Sequence, residues 1–510
     1  MIYLLDVVLP IIILVISALL TIPVFKAIRK TSHKTALTLG WFITVFIIAG
    51  ATVANLALKY YDVSASQPFI NLSLEGGAFS SVSSAFMVDT ISVYMAIIIV
   101  AVSSIVVIYS VLFVNTNERP SERYFAIMLM LTAALLGAVL SGDLLTLFIF
   151  WEAAAAGAGF LMIYKKNITS LNSTLKYLVM IIIASAFVVF GLSLVYGLTG
   201  SLNFWDVRQA LMTLTDKRLL IVAFIFIAAG YAIEAAVVPF HFWLPDAYTA
   251  APATSAAFLS ALVDQGSYYI LVRVLVYILT PPGALAPNSP GALDWTFMLA
   301  IMAALTMIVG NLFALIQNNV KRLIANICVA DVGYNLVAIT SVTALGLVGN
   351  LYFFLIGGIT TALAFMALGI INHYGFKTLD DFSGLGQKMP FVSLALVIAA
   401  FSFAGVPPLG GFTAKFLVFT AAIQANLSWL AVIGVLTSVI QTAYLLRLVN
   451  YMYGKKAKDE TRIKEPKKLL IPIFILVAAI IILGLYPTIV FNLIQTATQG
   501  NAIIFPTIIP

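Results

Sequence analysis

The sequence predicts an all-α polytopic membrane protein with about 14 transmembrane helices, organised as two inverted five-helix repeats with breaks in helices 7 and 12. Three observations support this fold class. Of the 510 residues, 62% are apolar and only 9% are Asp, Glu, Lys or Arg, whereas roughly 25% of residues are charged in soluble domains. The apolar residues form runs of about 18 or more, long enough to cross a bilayer. Two of these runs are interrupted by proline and glycine beside a charged residue.

Hydrophobic runs bounded by charged residues, proline, glycine or serine define the predicted spans, which we number in chain order. We expect the first run to be a retained span rather than a cleaved signal, because it lacks a basic segment and a small-residue cleavage site. A weakly apolar segment at 202–214 has a helical period and is compatible with a helix lying flat at the interface. The predicted spans cover residues 5–28, 36–60, 86–114, 123–140, 143–164, 175–198, 219–238, 251–279, 294–316, 322–340, 344–373, 391–425, 429–453 and 469–495.

The distribution of basic residues predicts the orientation of the chain, since Lys and Arg in short loops stay on the cytoplasmic side. Loops after odd-numbered spans contain 20 of the 27 basic residues, and loops after even-numbered spans contain four. We therefore expect a multi-pass protein of the cell membrane with both termini outside and the basic loop 454–468 in the cytoplasm. We interpret that loop as solvated, with docking of a partner or of anionic lipid as the alternative.

Composition excludes several kinds of chemistry within this chain. There is one cysteine, Cys328, and there are three histidines, His33, His241 and His373. These numbers exclude disulfides, zinc sites and cysteine-ligated iron–sulfur clusters, and they make haem an unsuitable cofactor. The sequence contains no glycine-rich nucleotide loop, no evident nucleophile–base pair and no basic face suited to nucleic acid. We expect no cofactor, no resident metal and no catalytic chemistry in the chain; transient Na⁺ binding is left open.

Charged residues inside the predicted spans are the candidates for function, because a charge at mid-bilayer costs at least about 2.5–3.5 kcal/mol on insertion scales. Glu152 and Asp331 are expected at matching depths in spans 5 and 10, too deep for anchoring at the interface. A structural polar contact between helices is the alternative to an ion relay for both. The candidates for ion translocation are four carboxylates and one ammonium group: Glu152, Glu234, Asp264, Asp331 and Lys415.

Spans 7 and 12 contain strong helix breakers beside two of these charges. In span 7, Glu234 lies five residues before Pro239. In span 12, Lys415 lies seven residues after Pro408, which itself follows Pro407. Proline removes a backbone donor, so the freed backbone groups need protein or a water-filled cavity at mid-membrane. A broken helix with a charge near the break is typical of transport sites; a kink that serves only packing is the alternative.

The spacing of these features indicates an internal repeat. Laying spans 4–8 beside spans 9–13 aligns the two broken spans, and it also aligns Glu152 with Asp331. The same alignment pairs Arg273 with Arg447, which we assign a supporting role, with snorkelling to the interface as the alternative. Because each unit has an odd number of spans, the second must enter from the opposite side. The predicted domains are spans 1–3 (1–114), the first repeat (115–280), the second repeat (281–453) and the basic loop with span 14 (454–510).

Three sequence elements resemble the antiporter-like subunit family: FWE at 150–152, PFHFWLPDAYTAAP at 239–252 and GVPPLGGFTAKF at 405–416. This family includes proton-translocating membrane subunits of respiratory complex I, subunits of Mrp-type Na⁺/H⁺ antiporters, and relatives in archaeal membrane-bound hydrogenase and sulfane-reductase complexes. The resemblance extends from about span 3 to span 13. It implies the inverted repeat and ion conduction along a central polar axis. Because no residue of this chain could hold an electron carrier, we expect iron–sulfur clusters or other redox centres only in partner subunits.

Several functional residues of the family have counterparts in this sequence. Glu152 matches the family glutamate of span 5, and Lys415 matches the lysine of span 12. His241 matches the histidine of the span-7 break.

Three positions depart from the family pattern. Glu234 stands where span 7 usually has a lysine, and Asp331 stands where many members have a histidine in span 10. Gln265, preceded by Asp264, stands where span 8 usually has a lysine. We hypothesise that the acidic residues form a carboxylate-lined path for H⁺ or Na⁺, with Lys415 as the cationic switch. The alternative is that the first half-channel has lost transport and serves as a scaffold or coupling element.

We therefore interpret the chain as an ion-translocating subunit, for H⁺ or Na⁺, of a multisubunit respiratory-type redox complex. The expected partners are other integral membrane subunits, a peripheral redox module and lipids, and not nucleic acid. A subunit of a Mrp-type Na⁺/H⁺ antiporter is the first alternative. A non-conducting scaffold and an independent solute transporter are the others.

Overall fold

The computed structural model describes residues 2–31, 33–64, 69–73, 85–114, 121–165, 167–280, 295–457 and 462–500. The predicted domain boundaries at 114/115 and 280/281, and part of the basic loop 454–468, lie outside these residues. The N-terminal helices are α1 (Leu4–Ile28), α2 (Lys34–Val63), α3 (Thr90–Phe113), α4 (Ser121–Leu140), α5 (Leu144–Met162), α6 (Ile168–Thr199) and α7 (Phe204–Met212). The central helices are α8 (Arg218–Glu234), α9 (Trp243–Ala250), α10 (Ala253–Phe258), α11 (Asp264–Leu271), α12 (Trp295–Leu315), α13 (Val320–Ser341) and α14 (Ala344–His373). The C-terminal helices are α15 (Leu385–Lys388), α16 (Pro390–Ala404), α17 (Gly410–Gln424), α18 (Ser428–Val449), α19 (Lys467–Leu485) and α20 (Thr488–Gly500).

Twelve helical segments among the described residues are long and apolar enough to cross a membrane. One of them, Ala253–Ile278, contains α10 and α11, which π-helical turns join into a continuous helix. Predicted spans 7 and 12 are not among the twelve, because each is divided into helices shorter than 18 residues. The chain is a multi-pass membrane protein of the predicted helical class with both predicted breaks, and the count of fourteen spans stays a prediction.

A small antiparallel sheet precedes α3 and departs from the all-α expectation. Strand β1 (Phe69–Ser73) pairs with β2 (Ala85–Asp89). Predicted span 3 therefore begins as a strand, and its helix starts only at Thr90, which Asp89 caps. Hydrophobicity could not separate the two elements, because the apolar strand continues directly into the apolar helix.

The last predicted span, 469–495, is also shorter than expected. Helix α19 ends at Leu485, and α20 begins at Thr488 after Pro487. Proline lacks an amide hydrogen and clashes with the preceding turn, so the apolar run is divided there.

The most deeply buried helices carry several of the predicted functional residues. In the most apolar window of α13 all residues are buried, and in α14 and Ala253–Ile278 94% are buried. In α2, α6 and α19 the corresponding share is 33%. Asp264 and Asp331 thus lie on helices that the rest of the chain surrounds.

The two predicted repeats share a distinctive backbone pattern. Asp143 forms an isolated antiparallel bridge with Asn203, and Asn319 forms one with Thr378. Each bridge joins the residue before one helix to the segment that follows the next helix, α5 and α6 in one case and α13 and α14 in the other. The side chains of Asp143 and Asn319 both accept a hydrogen bond from the backbone N–H three residues later. This correspondence supports the alignment of spans 4–8 with spans 9–13.

The bridges also correct the register within that alignment. Glu152 lies nine residues after the cap of α5, at Asp143, whereas Asp331 lies twelve residues after the cap of α13, at Asn319. Counted from these caps, the two positions differ by three residues, about one helical turn or 4.5 Å, and the matching depth in the membrane stays a prediction.

The two helix breaks match in backbone geometry. Ala236 and Gly405 both have positive φ, 54° and 77°. The next N–H, that of Val237 or Val406, donates to the carbonyl five residues earlier, at 2.9 and 3.0 Å. A residue with positive φ, followed by this hydrogen bond, thus ends both α8 and α16.

Candidate functional site

Glu152 lies at the contact between α5 and α6. Its side chain is half-buried, and its Oε1 accepts a hydrogen bond from Ser185 Oγ at 2.7 Å. It does not line the cavity that Glu234 and Asp264 share. Glu152 is therefore placed at the edge of the predicted acidic path rather than in its centre.

Glu234 is the last residue of α8 and lies at the break, with 6% of its surface exposed. The indole N–H of Trp151 donates to its Oε2. Its Oε1 has no hydrogen-bond partner among the described residues. Sequence reasoning missed the role of Trp151, although its position beside Glu152 in the FWE element was visible.

Asp264 shares a cavity with Glu234. Asp264 is buried, and neither of its carboxylate oxygens has a hydrogen-bond partner in the part of the chain that the structure describes. None of the described residues that line the cavity is basic. Its other lining residues are mainly aromatic and aliphatic, and they include Trp151, Tyr177, Trp243 and Tyr248.

Gln265 lies between this cavity and a second one. Its side chain is fully buried, and neither atom of its amide has a partner within the described ranges. It faces α14, where a β-carbon added to Gly357 would lie 3.0 Å from Gln265 Oε1. Gly357 lines the second cavity, and Asp264, the residue before Gln265, lines the first.

The second cavity brings Asp331 and Lys415 together with Thr360 and Ser402. Lys415 is buried, and among the described ion pairs none joins it to Asp331. The two charged groups thus face one cavity without a direct ion pair.

The ammonium group of Lys415 has neutral partners instead. Its Nζ donates to Gln441 Oε1 at 2.5 Å and to Ser438 Oγ at 3.3 Å. It also lies 4.2 Å from the ring centroid of Tyr334, a distance suited to a cation–π contact. These contacts hold the ammonium in place without neutralising its charge.

A chain of neutral polar groups on α12, α13 and α18 continues from Lys415. Ser438 Oγ donates to Tyr334 Oη at 3.3 Å, and Asn311 Nδ2 donates to the same oxygen at 3.2 Å. Tyr444 Oη donates to Asn311 Oδ1 at 3.0 Å. Sequence reasoning missed these residues, because single neutral polar residues in apolar helices do not stand out as charges do.

The residues that were predicted to support ion translocation lie in several separate parts of the structure. His241 is buried between aromatic rings, with Phe313 at 5.9 Å, and its Nδ1 has no partner among the described groups. Arg447 is half-buried and donates to the Gln317 carbonyl at 3.0 Å. The predicted prolines Pro239, Pro407 and Pro408 all lie in the two breaks.

Arg273 does not snorkel, so that alternative was wrong for this residue. Only 1% of its surface is exposed, and it donates to both carboxylate oxygens of Asp89. Its guanidinium also lies over the rings of Tyr269 and Tyr277, at 5.5 and 5.0 Å. Asp89 was missed because an acidic residue at the edge of a predicted span suggests an interface position.

The amphipathic segment that was expected at the interface forms α7, but its arginine faces the protein. Arg208 is 2% exposed. It donates to the carbonyl of Tyr277 and lies over the same ring, at 5.7 Å. The polar side of α7 thus includes a residue that contacts the segment Ala253–Ile278, and not only residues at the surface.

Asp246 on α9 is a further charged residue that sequence reasoning overlooked. It pairs with Lys176 at 2.8 Å and with Arg322 at 2.9 Å. It lies seven residues after Pro239, just as Lys415 lies seven residues after Pro408. The two halves therefore carry opposite charges at equivalent positions after their breaks.

Comparisons with known proteins find a matching family and relatives that cover most of the chain. A family described as "NADH:quinone oxidoreductase/Mrp antiporter, TM" matches residues 141–441. The chain is 32% identical to F(420)H(2) dehydrogenase subunit N of Methanosarcina mazei, over 86% of this chain and 89% of that protein. It is 30% identical to NADH-quinone oxidoreductase subunit N of Trichlorobacter lovleyi, over 83% of this chain and 86% of that one.

Solved structures show the same fold. A chain of the membrane-bound sulfane sulfur reductase, an archaeal respiratory membrane complex, is 27% identical, with a TM-score of 0.85 and 97% of both chains covered. A chain of the Mrp complex from Dietzia sp. has a TM-score of 0.83 at 22% identity, with 99% of this chain and 98% of that chain covered. The second likeness concerns the fold alone.

Proposed function

We propose a route for ions through this chain, which belongs to the NADH:quinone oxidoreductase/Mrp antiporter transmembrane family. The chain is an ion-translocating membrane subunit of a respiratory-type complex, whose redox centres lie in other subunits. The proposed route runs from the Glu234–Asp264 cavity past Gln265 to Asp331 and Lys415.

The cavity between Glu234 and Asp264 carries the proposal. Both side chains are buried, three of their four carboxylate oxygens have no hydrogen-bond partner among the described residues, and no described lining residue is basic. An unpaired buried carboxylate is very unfavourable, so each must take up a proton or bind a cation. A site of this kind takes up H⁺ or Na⁺ and releases it when a neighbouring charge changes.

Lys415 supplies that neighbouring charge in the second cavity. A cation that reaches Asp331 repels the Lys415 ammonium, and the flexible four-carbon stem of lysine allows the ammonium to move. Gln441 and Ser438 receive the ammonium, and Tyr334 stabilises its charge. The polar chain through Asn311 and Tyr444 then extends the route beyond Lys415.

Glu152 and Gln265 have secondary roles in this scheme. Glu152 exchanges ions with the first cavity from the α5–α6 contact, where Ser185 holds it. Gln265 cannot ionise, so it passes ions between the cavities only through ordered water or by direct transfer of a cation along its carbonyl oxygen.

The charge distribution of the loops supports an orientation, and the structural relatives support an assembly. Both termini face outside the cell membrane, and loop 454–468 lies in the cytoplasm. The partners are other integral membrane subunits and a peripheral redox module, as in the complexes that contain the structural relatives. The chain is divided into an N-terminal unit, two inverted repeats and a C-terminal unit.

Ion flux in membrane vesicles that contain the whole complex tests the route. We expect Glu234→Gln and Asp264→Asn each to lower coupled ion flux at least about tenfold, a loss equivalent to about 1.4 kcal/mol. Asp380→Asn, which changes an exposed carboxylate, is the matched control. Parallel uptake of radioactive Na⁺ and of protons identifies the ion, and electron transfer to a soluble acceptor checks that the redox module is intact. Unchanged flux in both cavity variants would show that the first half is a scaffold.

A further inference from the structure

The C-terminal helix α19 lies directly against the break between α16 and α17. The contact is made by Gly484, one residue before α19 ends. A β-carbon added to Gly484 would lie 2.1 Å from the carbonyl oxygen of Pro408 and 2.6 Å from the amide nitrogen of Gly410. The break covers residues 405–409, between α16 and α17, so α19 packs against the interrupted backbone.

The close approach at Gly484 involves the backbone of the break. The atoms that a side chain would meet belong to backbone, which cannot rotate away as a side chain can. Real β-carbons essentially never come within 3.0 Å of other heavy atoms, so alanine here would force α19 or the break to shift. Gly197 on α6 provides a contrast, because nothing lies within 4 Å of its added β-carbon.

Neighbouring contacts hold the end of α19 in place. Tyr352 on α14 donates its hydroxyl to the carbonyl of Leu483 at 2.8 Å. Ile356, one turn further along α14, would lie 2.6 Å from a β-carbon on Gly410. Ile356 also lines the second cavity. Helices α14, α17 and α19 therefore meet at the end of the break, where α17 begins five residues before Lys415.

The first half secures its break differently. There the N–H of Val238 donates to the hydroxyl of Thr306 on α12, at 3.1 Å. A hydroxyl can rotate and follow a moving backbone, whereas the Gly484 contact relies on the two backbones packing directly together. The two breaks therefore differ in these contacts with neighbouring helices.

We propose that Gly484 is a positioning residue for ion translocation, and that α19 fixes the place at which α17 presents Lys415 to the second cavity. This inference rests on the proposed function of Lys415. It assigns a role to a helix outside the residues that the family match covers, 141–441.

Coupled ion flux in the intact complex tests the inference through Gly484→Ala, with Gly197→Ala as the matched control. We expect Gly484→Ala to lower flux at least about fivefold while the complex assembles normally, and Gly197→Ala to leave flux unchanged. In a Lys415→Gln background, Gly484→Ala should cause little further loss, because residues that act through one another are not additive. Equal fold losses in both backgrounds, reduced assembly alone or unchanged flux would overturn the positioning role.

A distance measurement separates this inference from the proposed function. The single native cysteine, Cys328, is buried, so spin labels can be directed to cysteines introduced at exposed Ile423 on α17 and Ile225 on α8. We expect Gly484→Ala to shift the label distance, whereas Gly197→Ala should not. An unchanged distance would contradict the inference. Unchanged flux in Lys415→Gln with a shifted distance would instead contradict the proposed role of Lys415 and leave the positioning by Gly484 supported.

Discussion

Arg273 donates to both carboxylate oxygens of Asp89, at 2.6 and 3.0 Å, and both residues are almost fully buried. The pair joins the helix of predicted span 8 to the start of α3, where β2 meets the helix. Ser92 bonds to the same carboxylate from the first turn of α3. A bidentate pair of this kind fixes orientation as well as distance.

Breaking this pair should destabilise the protein strongly. We expect Asp89→Asn or Arg273→Gln alone to cost about 3–5 kcal/mol, because the remaining charge is left buried without a partner. The amount of assembled complex and its thermal unfolding provide the measurement. Arg447→Gln, which removes a half-buried arginine, is the control and should have a smaller effect.

The double variant Asp89→Asn/Arg273→Gln should recover part of that loss, since no unpaired charge remains. If the two single losses simply add, the ion pair is not what holds these elements together.

The indole of Trp151 should matter through Glu234. Trp151→Phe keeps most of the packing but removes the N–H that donates to Glu234 Oε2. Because a hydrogen bond to a charged group contributes about 1.5–3 kcal/mol, we expect coupled ion flux to fall about tenfold. The measurement is coupled ion flux in vesicles at several values of pH. Loss of the hydrogen bond to the Glu234 carboxylate should change how this flux depends on pH.

Trp243→Phe is the matched control for this experiment. Trp243 lines the same cavity, but its N–H donates to the backbone carbonyl of Ile233. A loss of flux that is equal in both variants, with the same pH profile, would mean that cavity packing rather than Glu234 is affected.

A negative charge beside Lys415 should lock its ammonium group. Gln441 Oε1 lies 2.5 Å from the nitrogen, so Gln441→Glu creates a buried ion pair at short range. We expect lower flux in this variant than in Gln441→Ala, because the new ion pair keeps the Lys415 ammonium from moving toward Asp331. Exposed Gln387→Glu is the control. Faster flux in Gln441→Glu would show that Lys415 does not have to move.

Periodicity and charge predicted much of the fold. Long apolar runs located the helices, and prolines beside Glu234 and Lys415 located the two breaks, because both signals are local in sequence. The strand pair before α3 and the division of span 14 were missed, because apolar strands and helices have similar composition. The register of Glu152 and Asp331 depended on caps at Asp143 and Asn319, which span boundaries accurate to a few residues could not specify.

The candidate site was only partly visible in the sequence. Charges in apolar helices identified the carboxylates and Lys415. Partners such as Trp151, Gln441 and Gly484 were not identified, because each acts through a contact between helices distant in sequence. A glycine that is needed for backbone packing has no chemical signature of its own.

The opposite charges at Asp246 and Lys415 lead to the last prediction. Asp246 is partly exposed and pairs with exposed Lys176 and Arg322, so these pairs should contribute little to stability, about 0–1 kcal/mol each. Trp243, one turn earlier on α9, lines the first cavity, so the pairs restrain a helix that forms the cavity wall. We expect Asp246→Asn to leave assembly intact but to change coupled flux at least about threefold and to weaken its dependence on salt. The exchange Asp246→Arg with Arg322→Asp should restore part of the flux, because it rebuilds one pair with reversed polarity. If Asp246→Asn behaves like the surface control Asp380→Asn in flux and in salt dependence, the pairs do not restrain α9.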